Sequence, residues 1–336
     1  MIQLRRPAGY LLLVLLAAPV LSQGTTAWND PSPHITRFIE VDRNVKLEVL
    51  DWGGSGRSLV LLAGGGNTAH VFDDFAPKLT DHYHVYGITR RGFGASGYSE
   101  TEDPADRLAD DVLAVIDSLK LKRPILVGHS IAGAELSAVA NSHSDRVAGL
   151  IYLEAAYSYA FDNGKGSSIM AAQSLTAPQP PPPDAADLAS FSALGNYYER
   201  VNGFRFPEAE IRQQWEATPD GAVGKDRNTP GSAMLMSRIM HPKKFTDIPV
   251  PSLIIFANPH SLGPWVDYTT DPSERAAAKA YSAALAPLTE KQEKAVREGV
   301  PASYVITLPN AHHYVFLSNQ ADVLREMHAF LTALPD

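Results

Sequence analysis

No cysteine occurs in the 336 residues. That absence removes disulfides, thiolate metal sites, a cysteine nucleophile and a lipid-modified N-terminal cysteine together. Blocks of lysine and arginine long enough to track a phosphate backbone are also missing, and the formal charge is −8. Nucleic acid is therefore not an expected partner. The histidines include no His-x-x-x-His pair that a helix would bring to one face, so no metal and no other cofactor is expected. The N-terminal apolar run, Tyr10 to Leu21, is 12 residues long, short of the ~20 needed to span a bilayer. With Arg5 and Arg6 before it and Val20-Leu21-Ser22 at its end, Met1 to Ser22 has the layout of a cleaved export signal. The expected mature chain starts near Gln23, lies in the periplasm or outside the cell, is more acidic, and has no stable membrane span.

With 45% apolar residues, a chain of this length buries one large core, or a core carrying an insertion. A large core also explains how an exported chain dispenses with disulfides. After a polar lead-in (residues 23–36, expected to be flexible), Arg37 to Leu50 alternates as two strands around a turn at Asp42-Arg43-Asn44. Ser58–Ala63, Tyr83–Thr89, Val147–Leu153, Pro249–Ala257 and Ser303–Leu308 are short apolar runs of the kind buried on both faces of a parallel sheet. Between them lie helical patterns: His70–Leu79, Asp106–Leu119, Asp271–Glu298 (which Pro287 is expected to interrupt) and Asn319–Leu331.

The chemistry centres on Pro124-Ile125-Leu126-Val127-Gly128-His129-Ser130-Ile131-Ala132-Gly133. An apolar strand runs into Gly-x-Ser-x-x-Gly, and an Ala- and Leu-rich helical stretch follows. Small neighbours let the chain bend sharply enough to hold Ser130 at an apex with its Oγ exposed. The Ile131 amide then lies at a helix N-terminus, where an oxyanion would be stabilised. An N-cap serine is the ordinary alternative.

This decapeptide resembles the nucleophile elbow of the α/β-hydrolase superfamily, and the resemblance extends over most of the chain from about Arg37. It implies an α/β fold, a mostly parallel central sheet flanked by helices, with a cap inserted over the active site. The core would be residues 37–154 and 248–336 and the cap 155–247, which contains the run Pro178 to Pro183 and helical pieces at Leu188–Val201 and Phe206–Trp215. Gly64-Gly65-Gly66-Asn67, directly after a buried strand, lies where the superfamily places its second oxyanion donor, the amide of Gly65 or Gly66. A phosphate-binding loop would need a following Gly-Lys-Ser/Thr, which is absent. Arg90-Arg91-Gly92-Phe93-Gly94-Ala95-Ser96 resembles a loop of the same superfamily in which the arginine is structural.

In such a fold the base follows the last strand. Asn310-Ala311-His312-His313-Tyr314-Val315-Phe316 resembles the segment whose histidine immediately precedes an aromatic-aliphatic run, a register that selects His313, with His312 as the alternative. The acid most often comes from the loop corresponding to Asn258–Pro264, which has no carboxylate before Asp267. Glu154, one residue past the preceding sheet strand, is the alternative acid. The resemblance thus implies a serine hydrolase acting on a small-molecule substrate: a carboxylic ester of a small or medium apolar acid, with Ser130, His313 and Glu154 catalytic and Ile131, Gly65 and Gly66 forming the oxyanion hole. Amide, lactone and carbon–carbon bond hydrolysis share this machinery. Epoxide and haloalkane hydrolysis in this superfamily use a carboxylate nucleophile, which Ser130 is not. Two other readings are a non-catalytic ligand-binding protein and a capped aminopeptidase, for which Tyr197-Tyr198-Glu199 offers one local carboxylate.

Overall fold

In the computed structural model, which describes residues 28–98, 104–168, 171–172, 174–227, 231 and 244–335, β1 (Ile35–Asp42) and β2 (Val45–Gly53) form an antiparallel hairpin. The expected export signal and its cleavage site lie outside the described residues. The remaining sheet strands are β3 (Ser58–Leu62), β4 (His84–Ile88), β5 (Ile125–His129), β6 (Gly149–Leu153), β9 (Ser252–Ala257) and β10 (Ser303–Leu308). Their order is β1-β2-β4-β3-β5-β6-β9-β10, and all neighbours from β4 to β10 are parallel.

Strand alternation sends Val60, Leu126, Tyr152 and Ile254 to one face and Leu61, Val127, Ile151 and Ile255 to the other. The first face is covered by α1 (Pro104–Ser118), through Val112, Val115 and Ile116, and by α2 (Ala132–His143), through Leu136 and Val139. The second meets Phe72 and Phe75 and a C-terminal helix (Gln320–Ala333) carrying Val323 and Met327. Truncating a fully buried Leu or Ile of such a sheet to Ala costs about 2–5 kcal/mol. Burial on both faces is what forces these strands to read as unbroken apolar runs.

Between β6 and β9 the chain leaves the sheet. It forms α3 (Phe191–Asn202), α4 (Glu208–Gln214) and a small hairpin of β7 (Trp215–Ala217) with β8 (Val223–Asp226). Phe191, Leu194, Phe204 and Ile211 of this segment join the second core layer. The hairpin replaces the expected helical end at Trp215. Its turn is Thr218-Pro219-Asp220-Gly221, with Gly221 at φ 88°, a conformation that glycine adopts without a Cβ clash.

Three further expectations are corrected. His70–Leu79 is not one helix but two 3₁₀ turns, Ala69–Phe72 and Ala76–Leu79, because Pro77 has no amide to offer the Asp73 carbonyl. Conversely, Pro287 does not interrupt its helix, which runs unbroken from Pro272 to Gly299. The lost bond, about 3 kcal/mol, is offset by burial of Leu285, Thr289, Gln292 and Val296. Gln292 also donates to the carbonyls of Ala156 and Phe161, both at 2.9 Å. The residues ahead of β1, expected in a flexible lead-in, are fastened: Ser32 Oγ donates to Asp73 at 2.7 Å, and the Arg212 guanidinium lies 4.7 Å from the Trp28 ring centre.

Candidate active site

Strands β5 and β6 end in register, His129 opposite Leu153. The next residue on each, Ser130 and Glu154, takes a left-handed backbone with φ 52°, a conformation costing a non-glycine residue about 1–2 kcal/mol. The ladder continues one rung further, with Ser130 N donating to Leu153 O (3.1 Å) and Glu154 N to Ile255 O (2.8 Å). Two neighbouring strands thus throw a hydroxyl and a carboxylate up from the carboxyl edge of the sheet. Gly133 makes the turn possible in space: a Cβ there would lie 1.9 Å from the Ala155 carbonyl oxygen.

His313 arrives from the far side, just past β10. Its loop is zipped to the loop after β9 by Asn310 N to Pro259 O (3.0 Å) and Ser261 N to Ala311 O (2.9 Å). His313 Nε2 lies 2.9 Å from Ser130 Oγ and Nδ1 lies 3.2 Å from Glu154 Oε2. His312 points elsewhere. Its ring meets Phe204 edge-on, its Nδ1 accepts the Tyr314 amide (3.3 Å), and burial, then the neighbouring His313 charge, pushes its pKa down to about 4. Asp267 is exposed on a short helix, Trp265–Tyr268.

Glu154 is completely buried, yet it has four donors. The Ala257 amide reaches Oε1 at 2.6 Å and the Tyr157 hydroxyl is 3.0 Å from both oxygens. His260 Nε2 lies 3.0 Å and His313 Nδ1 3.2 Å from Oε2. Burial alone would raise its pKa, but His260 and then His313 outweigh burial and hold the carboxyl well below the usual range. Burial likewise works against a charged His260, and the Glu154 carboxylate overcomes it, so that pKa is raised. Sequence reasoning missed His260 and Tyr157. The available signals were a histidine in the loop where a carboxylate was sought and a tyrosine three residues past the acid.

Gly65 and Gly66 are exposed above β3, and Gly66 has φ 80°. Their loop is held from below and above. Arg90 donates to the carbonyls of Ala63 (2.9 Å) and Gly64 (3.3 Å) while pairing with Glu135 of α2 (2.7 Å). Arg91 pairs with Asp111, so both arginines are structural. From above, buried Glu210 of α4 accepts from Asn67 Nδ2 (2.8 Å), the Thr68 amide (3.2 Å) and Gln214 (2.9 Å), and burial raises its pKa. Tyr314 donates to Asn67 Oδ1 at 2.9 Å. Ile131 is the N-cap residue of α2, which no side chain caps; the helix entry is closed instead by Gly133 N donating to Ser130 O (2.9 Å) and Ala134 N to Ile131 O (3.0 Å). His129, one residue before the serine, is kept neutral by burial and then by His313, and its Nε2 donates to the His313 carbonyl at 3.1 Å. A cavity of about 430 Å³ is bounded by Gly65, Gly66, Gln213, Asp226, Arg227 and Tyr314. It reaches the glycine loop, although Ser130 and His313 do not line it.

No helix among the described residues is long and apolar enough to cross a membrane. In sequence, the chain is 28% identical over 120 residues to 2-(acetamidomethylene)succinate hydrolase of Mesorhizobium japonicum, covering 36% of this chain and 42% of that protein. It is 33% identical over 118 residues to Epoxide hydrolase A of Mycobacterium tuberculosis, covering 34% and 37%. The matched stretch thus spans well under half of each of these relatives. In structure it resembles carboxylesterase CesB from Bacillus subtilis, with a TM-score of 0.56 at 17% identity over 90% of this chain and 92% of that one. The profile of the Alpha/beta hydrolase family matches residues 59–326. The strand order, the serine turn and that match give one conclusion: the chain belongs to the Alpha/beta hydrolase family.

Proposed function

We propose that this protein is a serine hydrolase that cleaves a carboxylic ester through an acyl-enzyme. The observation that carries the proposal is the continuous chain Ser130 Oγ, His313 and Glu154, at 2.9 and 3.2 Å. Serine is scarcely ionised at neutral pH and needs a base. His313 Nε2 takes the Oγ proton as Ser130 attacks the acyl carbon, and the Glu154 carboxylate holds the Nδ1–H so that Nε2 faces the serine. The amides of Ile131 and of Gly65 or Gly66 receive the oxyanion. His313 then returns the proton to the leaving alcohol, and water repeats the sequence to release the acid.

The segment 155–247 would cover the site as a cap. Gln213, Asp226 and Arg227 around the cavity favour an acyl or alcohol group with polar substituents over the plain apolar acid expected from the sequence. The ligand-binding alternative leaned on the loop after β9, which lacks a carboxylate. With Glu154 beside His313 that support is gone.

Fluorophosphonate labelling tests the mechanism, and p-nitrophenyl esters of graded length and polarity test the substrate. Labelling of the wild type that Ser130→Ala abolishes is the expected result; an unlabelled wild-type chain returns the ligand-binding reading. We also place the protein outside the cytoplasm, on the strength of Arg5, Arg6 and the run from Tyr10 to Leu21. N-terminal sequencing of the exported protein should begin at or near Gln23, and a retained Met1 refutes this.

A further inference from the structure

Away from the serine, four side chains from two separate stretches converge: Asp30 and His34 ahead of β1, and His70 and Asp73 on the turn after the glycine loop. One ligand atom from each lies within 4.8 Å of all the others. We propose that Asp30, His34, His70 and Asp73 bind one divalent metal ion of the zinc class, at a structural site distinct from the serine centre.

The distances suit such an ion. Zinc bonded at its usual lengths to nitrogen and oxygen in a tetrahedron sets its ligand atoms about 3.3 Å apart. Here His70 Nδ1 is 2.9 Å from Asp73 Oδ2 and 3.3 Å from Asp30 Oδ2, and His34 Nε2 is 3.8 Å from Asp30 Oδ2, while His34 Nδ1 is held by the other Asp73 oxygen, Oδ1, at 3.1 Å. Asp73 and Glu48 hold a proton on His70 against the cost of burial, but protons leave the arrangement partly unsatisfied. One N–H on His70 Nδ1 faces two carboxylates and satisfies one of them. Protonating both rings would place two cations side by side, with ring centres 5.2 Å apart. A single dication puts the same charge at one point among the carboxylates.

The surroundings also fit. His70 turns its other nitrogen toward Glu48 Oε1 (3.7 Å), and Glu48 Oε2 is itself held by Thr89 (2.7 Å). A carboxylate behind the imidazole is the usual outer partner of a metal-bound histidine, fixing its orientation. On Asp73, Oδ1 accepts from Ser32 (2.7 Å) and Trp52 (3.2 Å), leaving Oδ2 for the ion. A cavity of about 520 Å³ bounded partly by Asp30 and Asp73 opens a route for the ion from solvent. Two imidazoles with two carboxylates select zinc-class ions over calcium or magnesium, which prefer all-oxygen shells. Four protein ligands make a closed, structural site. The ion would cinch the start of the folded chain onto the turn that follows Asn67 and Thr68.

The test uses the full mature chain, stripped with chelator and dialysed, then titrated with zinc chloride by calorimetry and scanned for thermal unfolding. The expected result is uptake of about one equivalent with a raised Tm, and a tetrahedral d–d spectrum when Co2+ replaces zinc. His34→Gln and Asp30→Asn lie ahead of the first strand and should fold, as circular dichroism would show. Each should weaken zinc binding by at least about tenfold. Uptake below about a tenth of an equivalent by the wild type means that the cluster is an ion-pair network only, and overturns the proposal. Unaltered zinc affinity in both variants, or a preference for calcium over zinc, overturns it equally.

Discussion

Two regions of this molecule set a pair of imidazoles against a buried carboxylate, and they do so with opposite balances. Beside Ser130 one carboxylate, Glu154, serves two rings, His260 and His313, together with the Ala257 amide and the Tyr157 hydroxyl. Near the N-terminus three carboxylates, Asp30, Asp73 and Glu48, face two rings, His34 and His70. The first cluster is rich in donors, so its carboxylate stays ionised and its geometry is fully determined. The second is rich in acceptors and retains a negative charge even with both rings protonated. A donor-rich site fixes its rings around the carboxylate; an acceptor-rich site has room for a cation.

The largest expected effects break the donor-rich side. Ser130→Ala and His313→Ala should each lower ester turnover by about 10⁴-fold or more, whereas His312→Ala should stay within about tenfold. The opposite ranking of the two histidines, measured by steady-state hydrolysis, would move the base by one residue. Glu154→Gln removes the negative charge while keeping the shape and should cost about 10³–10⁴ in turnover. Asp267→Asn, on an exposed helix, should cost nothing measurable.

Smaller effects sharpen the contrast. Glu210→Gln leaves the donors of Asn67, Thr68 and Gln214 with one acceptor oxygen in place of two. Denaturant unfolding should show a loss of about 1–3 kcal/mol, and kcat should fall while fluorophosphonate labelling persists. His260→Gln has a small expected effect on rate and a characteristic pH signature. The raised pKa of His260 means that its protonated form is stabilised by folding. That contribution is fully present below pH 6.5, the ordinary value, and is lost as pH rises through the raised folded value. The stability gap between wild type and His260→Gln should therefore be widest in mild acid, about 1.5–3 kcal/mol, and close in alkali. A gap independent of pH would mean that His260 contributes packing alone.

What the sequence made legible was whatever is local. The serine turn could be read because strand, bend and helix start lie within ten residues. Glu154 and His313 were read from the superfamily resemblance, the one at the end of an apolar run and the other just before an aromatic-aliphatic run. His260 was not legible, since its place beside Glu154 depends on the pairing of Pro259–Ser261 with Asn310–His312, two loops about fifty residues apart. The Asp30, His34, His70 and Asp73 cluster was harder still, because neither pair has a spacing that signals a metal and the two pairs meet only through tertiary contact. The 3₁₀ turns and the unbroken helix through Pro287 show the same limit from the other side. Proline's effect depended on whether packing elsewhere offset its missing amide.

The bond from Glu210 to the loop below it bears on traffic through the site. Swinging the 208–214 helix outward as a body would strip a buried carboxylate of Asn67, Thr68 and their amide and hydroxyl donors at once, a barrier of several kcal/mol. The same motion would release the glycine loop that Asn67 terminates. Wholesale opening is thus a disassembly step. With that helix held down, the glycine loop and the wall of the 430 Å³ cavity beside Gln213 and Arg227 stay joined as one unit.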